Sequence, residues 1–423
     1  MRVRGYRLRF AGIVAIGALT LTACSSSSSS TAQTTSGSSS SSSSSSASAL
    51  GTKTASGTPI QLGFINENAG SIITFPEATA AAQAAADYIN NNLGGVDGHP
   101  IHLDSCVTDG TPSSSESCAQ QMVADHVVGV FGGVDLNMDA WYSTLNSANI
   151  PVVGGVPLAP ADYVAKNAYN YFGGDVTATA STGLYVHEFM PKVKTVSILT
   201  TSTNAAASTI AMIKNPLQHW GVSVKVVTAS ATQNDWTAPY ISAESSQVII
   251  LLPTDQNCIS TAQAQASQHS HVPVVTVSTC FNSSVLKATN GEMNGWIESS
   301  QTMENPQGTS ADAKIFQAVM AKYAPTSILN GFAPVTFENI MTTYQSVLKP
   351  LGFANITPTN IEKQMTSPAG GKIFLGTTYK CPGPAPYPAI CNTQARFYKI
   401  EGNNVTSPTP VVNVQPAFSL FNS

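Results

Sequence analysis

Two pairs of side chains in this chain have the chemistry of a metal or ligand site. His269 and His271 are separated by one residue, and Asp135 and Asp139 are separated by three. Histidine is a common metal ligand, and carboxylates bind hard cations. The histidines fall between a predicted helix and a predicted strand, which favours a solvated turn over a metal pair. The aspartates lie between a strand and a helix, a position that suits ligand binding and plain helix capping equally well.

Sequence motifs of enzyme active sites are absent. The chain contains no Gly-x-Ser-x-Gly, no His-Glu-x-x-His and no Walker loop. Charged residues make up only 10% of its 423 residues, the formal net charge is −4, and no basic patch suggests nucleic acid. We therefore expect no catalytic residues, no cofactor, no metal site and no nucleic-acid partner.

The elements that would position binding residues begin with a strand, a helix and a second strand in residues 59–109. Residues 60–65 form a short apolar run, which predicts a strand. Residues 76–90 are rich in alanine, the strongest helix former, and residues 101–104 start the next strand. This order predicts a right-handed parallel βαβ unit.

The same alternation of strands and helices continues along the chain, which predicts an α/β fold. Ser113, as N-cap, and Glu116 predict a capping box at the start of a helix. Further strands are predicted at residues 127–131, 150–153, 195–200, 222–228, 247–252, 272–277 and 395–400. We find no convincing internal sequence repeat.

The first βαβ unit resembles that of the branched-chain amino-acid family of ABC-transporter substrate-binding proteins. The resemblance rests on Gly63-Phe64-Ile65, residues 86–90 (Ala-Asp-Tyr-Ile-Asn), residues 94–98 (Gly-Gly-Val-Asp-Gly) and Asp109-Gly110. It implies two doubly wound Rossmann-like lobes of the periplasmic binding protein type I fold, joined by a three-strand hinge. It also implies a small-molecule ligand, a membrane permease as partner, and a monomer.

The resemblance also implies where the chain passes between the lobes. A first crossing is expected at residues 171–174, a return near residues 278–282 and a last crossing near Thr393. Lobe 1 would then comprise residues 58–174 and 279–392, and lobe 2 residues 175–278 and 393–423.

Ligand binding is expected where the strands end, because open parallel sheets bind ligands outside the carboxyl ends of their strands. Two lobes place two such rims on opposite sides of a cleft, and closure about the hinge buries the ligand. The candidate ligand-binding residues are Asn66, Glu67, Asn68, Asp135, Asn137, Gly155, Val156, Asn204, Asp255 and Gln256.

The composition of these loops favours a particular ligand class. In the resembled family, hydroxyl and backbone N–H groups of the first lobe hold an α-carboxylate, and an acidic residue, here Asp255, holds the ammonium. The two central loops of the first lobe contain no Ser or Thr, and Asp135 would repel a carboxylate. We expect weak binding of Leu, Ile or Val, and a neutral or cationic polar ligand that donates to Asp135, Asn137 and Asn66. Alternatively, Asp135 faces solvent and backbone N–H groups hold a carboxylate.

The N-terminus has the pattern of an export signal. Residues 1–21 combine a basic start with an apolar segment from Phe10 that is too short to span a bilayer stably. Residues 21–24 (Leu-Thr-Ala-Cys) resemble a bacterial lipobox, which implies loss of residues 1–23 and a lipid on Cys24; a plain secretory signal is the alternative. Residues 24–57 are mostly Ser, Thr, Ala and Gly, which predicts a flexible tether.

The cysteines agree with export. Of the seven, a lipidated Cys24 leaves six, an even number that suits disulfides in an oxidising compartment. Pairing neighbours in sequence gives Cys106 with Cys118, Cys258 with Cys280, and Cys381 with Cys391. Six cysteines allow about fifteen pairings, so this connectivity is an inference. Zinc is less favoured because no Cys-x-x-Cys occurs.

The sequence therefore predicts an extracytoplasmic lipoprotein, anchored to the bacterial cell membrane, that captures an amino acid or related amide for an ABC importer. A ligand sensor of the same fold that signals to a partner protein is a second hypothesis. Neighbouring permease genes would favour transport, and a neighbouring receptor kinase would favour sensing. A secreted enzyme is disfavoured by the missing motifs.

Overall fold

The described part of the protein is built on two main β-sheets, one parallel and one mostly parallel, each covered by helices on both faces. The computed structural model describes residues 50–70, 74–202, 207–230, 232–300, 302–326, 331–402, 404–407 and 409–421. The predicted α/β fold class is confirmed: the structure has two doubly wound Rossmann-like lobes, between which the chain crosses three times. Among these residues, every helix is too short or too polar to cross a membrane.

The first sheet has five parallel strands in the order β2-β1-β3-β4-β5. They are β1 (Ile60–Glu67), β2 (Ile101–Thr108), β3 (Val130–Phe131), β4 (Val152–Val153) and β5 (Ala168–Tyr169). Ile60 pairs with Ile101 at the start of the sheet and Glu67 with Thr108 at its carboxyl edge. The order reverses at β1, as in doubly wound folds.

The second sheet has the order β14-β13-β10-β9-β8-β6-β7, and β15 also pairs with β13. Its strands are β6 (Thr195–Thr201), β7 (Ser223–Ala229), β8 (Val248–Leu252), β9 (Val274–Val277), β10 (Ile297–Ser300), β13 (Gln394–Glu401), β14 (Asn404–Thr406) and β15 (Val412–Asn413). Strands β6 to β10 are parallel, and β13 joins β10 antiparallel. A separate hairpin is formed by β11 (Gly371–Lys372) and β12 (Thr378–Tyr379).

Thirteen α-helices are present among the described residues. They are α1 (Pro76–Asn92), α2 (Pro112–Ala124), α3 (Asp139–Ser147), α4 (Pro160–Val164), α5 (Gly174–Phe189), α6 (Ala207–His219), α7 (Thr237–Ala243), α8 (Asp255–Ser267), α9 (Ser283–Thr289), α10 (Ala311–Tyr323), α11 (Ala333–Thr343), α12 (Lys349–Leu351) and α13 (Pro358–Met365). A π-helical segment, Tyr344–Leu348, links α11 to α12, and Phe353–Asn355 and Gln415–Leu420 are 3-10 helices.

Both faces of each sheet are buried, which explains the continuous apolar runs in the central strands. In β8, Val248, Ile250 and Leu252 face the core beneath α5 and α6, whereas Ile249 and Leu251 face the core beneath α7 and α8. In the first lobe, α1, α10 and α11 cover one face and α2 and α3 the other.

The return of the chain to the first lobe lies later than the expected position at residues 278–282. Strand β10 pairs with β9 in parallel and with β13, so residues 279–300 remain part of the second lobe. Trp296 and Val285 complete the core beneath α8. The chain leaves the second sheet only after Ser300, because the fifth parallel strand is needed to cover β9.

The six cysteines of the folded part form the three pairs expected from their spacing. Their Cα–Cα distances are 5.5 Å for Cys106–Cys118, 5.5 Å for Cys258–Cys280 and 4.8 Å for Cys381–Cys391. The second pair links α8 to the loop after β9, and so holds two loops at the carboxyl edge of the second sheet.

Candidate functional site

The two sheets share the arrangement that creates a binding crevice. In the first lobe β1 lies beside β3, and in the second lobe β6 lies beside β8. The loops that follow such strands run to opposite faces of the sheet and leave a crevice at its carboxyl edge. The predicted site residues of the first lobe lie at this edge, at the end of β1 and in the loops after β1, β3 and β4.

Asp135 is fully buried and is bound within the first lobe. Its Oδ2 accepts hydrogen bonds from Ser115 Oγ (2.6 Å) and Trp141 Nε1 (2.9 Å), and its Oδ1 accepts one from the backbone N–H of Asn137 (3.0 Å). The carboxylate therefore joins α2 to α3. The alternative expectation that Asp135 faces solvent is wrong, because the loop folds it into the lobe. Its contact with a ligand stays a prediction.

Asn66 and Asn68 also hold the loops of the first lobe. Asn66 is buried, with Nδ2 donating to the carbonyl of Phe75 (2.8 Å) and Oδ1 accepting from the N–H of Val134 (2.9 Å). Asn68 is half-buried and its Nδ2 donates to Thr79 Oγ1 (2.8 Å). The amide of Asn66 thus connects the loops that follow β1 and β3, and its contact with a ligand stays a prediction.

Glu67, at the end of β1, contacts the loop after β3, which contains Asn137. Glu67 is buried and its Oε2 accepts from the N–H of Leu136 (3.2 Å). Burial raises the pKa of Glu67, and the hydrogen bond from Leu136 opposes part of that effect. Asn137 is half-buried, and among the described residues its side chain has no hydrogen-bond partner. It remains the polar candidate of this loop.

Gly155 and Val156 belong to an apolar region between the lobes. A Cβ on Gly155 would lie 2.7 Å from Cε of Met138, so a side chain here would require the end of the Met138 side chain to move. Val156 is fully buried in a cluster that includes Ala178 and Val277 of the second lobe. We call this set the interlobe apolar cluster: Phe75, Ala78, Val134, Val156, Leu158, Phe172, Ala178, Val277, Phe332 and Val335.

The candidates of the second lobe lie at or near the start of α6 and α8. Gln256 is exposed, and its Nε2 donates to Ser260 Oγ (3.3 Å) within α8. Asp255 is the first residue of α8, but its side chain and the whole of Asn204 lie outside what the structure describes. Among the candidates that are described, no hydrogen bond joins a residue of the first lobe to Gln256 of the second.

A cavity of about 60 Å³ lies between the lobes beside the interlobe apolar cluster. Gly331 and Pro334 of the first lobe directly neighbour cluster residues, and so does Ser278 of the second lobe. Its wall is formed by Ser278, Phe281, Glu298, Ser300, Thr302, Asn305, Pro306, Gln307, Gly331, Pro334, Tyr398 and Val405. The wall of the cavity thus combines polar side chains with the apolar residues Phe281, Pro306, Pro334 and Val405.

The polar wall includes two buried ionisable side chains on adjacent strands. Glu298 of β10 pairs with Tyr398 of β13 across the sheet, and both are less than a tenth exposed. The Tyr398 hydroxyl donates to the carbonyl of Met303 (3.1 Å). Burial raises the pKa of Tyr398, so this hydroxyl stays a hydrogen-bond donor at neutral pH.

A sequence profile described as "Periplasmic binding protein" matches residues 59–368 of the chain. The chain belongs to this family. No curated protein matches the chain by sequence.

Solved periplasmic binding proteins share the fold. The branched-chain amino-acid transporter substrate-binding protein LivJ of Streptococcus pneumoniae, in complex with isoleucine, is 17% identical with a TM-score of 0.64, covering 84% of this chain and 99% of its own. A fatty acid ABC transporter substrate-binding protein of Thermomonospora curvata is 15% identical, with a TM-score of 0.69 and coverages of 86% and 96%. A leucine-binding protein of Thermotoga maritima is 13% identical, with a TM-score of 0.65 and coverages of 84% and 99%. At these identities the likeness establishes the fold.

The described residues of this periplasmic binding protein do not form a recognisable metal site. No group of three or more His, Cys, Asp or Glu side chains there is arranged to hold a metal ion. His269 and His271 are exposed in the turn after α8, with His269 in the left-handed region (φ 49°). The prediction of a solvated turn is confirmed.

Glu298 and Tyr398 were missed by the sequence analysis, although a signal for Glu298 exists. Glu298 is a carboxylate within a short strand, and it directly follows the apolar residues Trp296 and Ile297. Charged side chains are rarely buried without a role. Tyr398 had no such signal, because an aromatic residue in a closing strand usually belongs to the core. Only the pairing of β10 with β13 places the two side chains together.

Proposed function

We propose that the chain is an extracytoplasmic solute-binding lipoprotein that captures a small polar ligand between its lobes and delivers it to an ABC importer. The observation that carries this proposal is the interlobe cavity, whose wall combines side chains of both lobes and of the segment that crosses between them. A ligand held by both lobes stabilises their closed arrangement. Membership of the periplasmic binding protein family supports the same function.

The ligand class that fits the cavity is an amino acid or a related amide. Hydroxyl, amide and carboxylate groups of Ser300, Asn305 and Glu298 line its polar end. A water molecule needs roughly 10–15 Å³ of such space, so a cavity of about 60 Å³ accommodates the polar group of a small molecule. The remainder of the ligand would lie against the interlobe apolar cluster. Because Asp135 and Asn66 are bound within the protein, they no longer support the ligand preference expected from the loops.

Delivery to a permease rests on the N-terminal sequence and the family. Residues 21–24 resemble a lipobox, and the Ser-rich residues 24–57 would tether the lobes to the outer face of the cell membrane. A tethered binding protein remains close to its membrane partner and can still rotate. We propose an ABC permease as that partner and a monomer as the binding unit.

Small molecules released from the purified protein would identify the ligand directly. The protein is purified without added solutes, denatured, and the released molecules are analysed by mass spectrometry. We expect one enriched small polar compound in an amount approaching one per protein. If repeated preparations release nothing and no compound of a broad solute panel binds, the proposed function is wrong.

Thermal unfolding then tests the position of the site. A ligand at one hundred times its dissociation constant adds about 2.7 kcal/mol to stability, which raises the melting temperature by several degrees at about 2 °C per kcal/mol. Glu298→Gln should reduce this rise. Glu116→Gln, which changes an exposed glutamate of α2, should leave it unchanged. Equal rises in both variants would place the ligand elsewhere.

A further inference from the structure

A loop closed by a disulfide precedes the last crossing between the lobes. Residues 381–391 lie between β12 of the first lobe and β13 of the second, and the Cα atoms of Cys381 and Cys391 are 4.8 Å apart. Both cysteines are buried in the core of the first lobe. We call residues 381–391 the disulfide loop. Its two ends are therefore fixed to the first lobe.

The disulfide loop has few conformations open to it. Every second residue from Pro382 to Pro388 is a proline, and the proline ring fixes the backbone angle φ. The N–H of Gly383 donates to the carbonyl of Pro388 (2.8 Å). A Cβ on Gly383 would lie 1.8 Å from the carbonyl oxygen of Ile390, so the loop folds closely on itself and only glycine fits there. The loop is therefore a stiff element rather than a flexible connection.

The end of the disulfide loop runs beside the first crossing, residues 171–174. Asn170, the residue before that crossing, pairs with Ile390 in a parallel bridge. Its N–H donates to the carbonyl of Ala389 (2.9 Å), and its carbonyl accepts from the N–H of Cys391 (2.9 Å). Rotation of two lobes is absorbed by backbone angles at a few crossing residues. These two hydrogen bonds therefore couple the first crossing to the last.

The middle of the disulfide loop reaches the second lobe. The centroid of the Tyr387 ring lies 4.9 Å from that of Phe418, edge to face at 82°, and 6.3 Å from that of Phe421. Both phenylalanines are buried in the core of the second lobe, together with Ile390. Asn215 Nδ2 of α6 donates to the carbonyl of Phe421 (2.9 Å). A loop whose ends belong to one lobe thus packs into the core of the other.

The same loop also packs on the helix α4 of the first lobe. The ring centroid of Tyr387 lies 5.6 Å from that of Tyr163, with the ring planes at 81°. The N–H of Ala389 donates to the carbonyl of Tyr163 (3.1 Å), and Ala389 is buried in the core beneath α2 and α3. The Tyr387 ring therefore contacts α4 of the first lobe and the C-terminal 3-10 helix of the second.

We propose that the disulfide loop acts as a strap that limits the rotation of the two lobes about the hinge. Its ends are held in the first lobe, and Tyr387 packs against Phe418 and Phe421, so the second lobe rotates freely only when this contact breaks. Fewer arrangements of the lobes then compete with the one that binds a ligand, which raises the apparent affinity. The effect on binding rests on the proposed function, whereas the restriction of rotation is testable without a ligand.

Distances between nitroxide labels on the two lobes test this restriction. Full-length protein with Cys24→Ser is labelled at Ser143→Cys on α3 and Gln263→Cys on α8, both exposed positions. The six cysteines of the folded part are paired, so only the introduced thiols react. Double electron–electron resonance then gives the distribution of distances without added solute. We expect Tyr387→Ala to add distances that differ by more than about 2 Å from those of the parent protein. Tyr387→Phe keeps the ring and should reproduce the parent distribution.

Removal of the disulfide tests the fixed ends of the loop. Cys381→Ser together with Cys391→Ser should broaden the distribution in the same way. Cys106→Ser together with Cys118→Ser removes a disulfide that joins β2 to α2 within the first lobe and should leave the distribution unchanged. Circular dichroism shows which variants are folded.

The parent distribution in folded Tyr387→Ala protein overturns the inference. If Tyr387→Ala does not fold, the parent distribution in the variant without the Cys381–Cys391 disulfide overturns it instead. Equal broadening in the variant without the Cys106–Cys118 disulfide also overturns it, because the effect would then not belong to the disulfide loop. Failure to find any ligand would remove the proposed function and leave these distances as they are.

Discussion

Asp135 accepts one hydrogen bond from α2, one from α3 and one from the loop between β3 and α3. Asp135→Ala would leave the buried Trp141 N–H without an acceptor and the Ser115 hydroxyl with only the carbonyl of Thr111. We expect it to lower the free energy of unfolding by about 2–4 kcal/mol, measured by chemical denaturation. Asp139→Ala removes an exposed carboxylate at the start of α3 and should lower it by less than about 1 kcal/mol. Equal effects of the two variants would contradict the structural role of Asp135.

Asp175, at the first crossing between the lobes, should make stability depend on pH. Burial, and then the charge of Asp162, raise its pKa from 3.8 to about 6. The folded protein therefore holds a proton that the unfolded chain has lost, and stability falls as pH rises from about 4 through 6. Asp175→Asn removes this loss of stability. The change in the free energy of unfolding caused by the substitution should therefore be more favourable at pH 7 than at pH 4, by at most about 3 kcal/mol. Urea unfolding at both pH values measures this, and an identical effect at both would refute it.

At the residue scale, the sequence located the loops of the first lobe but not the direction of their side chains. Asn66 and Asp135 carry the chemistry of ligand contacts, yet both are turned inward. The direction depends on Gly132 and Gly133, whose φ values are 73° and 87°, and on acceptors and donors far away in sequence. A pattern of residue types does not contain that geometry.

The N-terminus of α2 depends on a residue two positions before the expected cap. Ser113 was predicted as the N-cap, but the helix begins at Pro112, and Thr111 Oγ1 accepts from the N–H of Ser114 (3.3 Å). Proline suits the first helical position because no N–H is needed there, which moves the cap to Thr111. Thr111→Ala should lower the free energy of unfolding by about 1 kcal/mol, whereas Ser113→Ala should change it by a few tenths. The reverse order in denaturation experiments would contradict this assignment.

The turn after β3 requires glycine for space as well as for backbone conformation. Gly133 has a φ of 87°, and a Cβ there would lie 1.9 Å from the carbonyl oxygen of Ile65. Gly98 has a similar φ of 90°, but a Cβ added there would have no atom within 4 Å. Gly98→Ala should therefore cost about 1–2 kcal/mol of backbone strain, and Gly133→Ala clearly more. Equal shifts of the urea midpoint in the two variants would contradict this, because they would mean that the backbone moves away from the Ile65 carbonyl at no cost.

At the element scale, apolar runs predicted strands better than they predicted strand ends. The run at residues 127–131 pairs as a strand only at Val130–Phe131, while β8 follows its apolar run closely. Strand β8 pairs with β6 along its whole length and with β9 at its three central residues, whereas β3 meets β1 at a single position. Pairing partners set the bounds, and they are distant in sequence.

At the scale of the whole molecule, the two lobes repeat one topology. The first sheet has the order β2-β1-β3-β4-β5, and the parallel part of the second has the order β7-β6-β8-β9-β10. No repeat is visible in the sequence, because burial and strand pairing constrain residue class rather than identity. This repetition explains the later return of the chain: the second lobe needs its own fifth strand before the chain can leave after Ser300.

At the same scale, the sequence predicts that the folded lobes are attached to a membrane. This prediction depends on Cys24, which lies outside the described residues. After removal of residues 1–23, a lipid on Cys24 would hold the protein to the membrane through several acyl chains. Several chains anchor a protein firmly, whereas a single chain binds only marginally. The Ser-rich residues that follow would extend on the order of 30 Å, enough to let the cleft turn towards a permease.

We expect Cys24→Ser to move the protein from the membrane fraction to the soluble fraction or the medium. Cell fractionation followed by immunoblotting measures the distribution, and metabolic labelling with a fatty acid should mark the wild type alone. Ser25→Ala keeps the thiol and serves as the matched control, which should remain with the membrane. A Cys24→Ser protein that still fractionates with the membrane would mean that the uncleaved N-terminal segment or a partner protein, rather than a lipid, holds the lobes there.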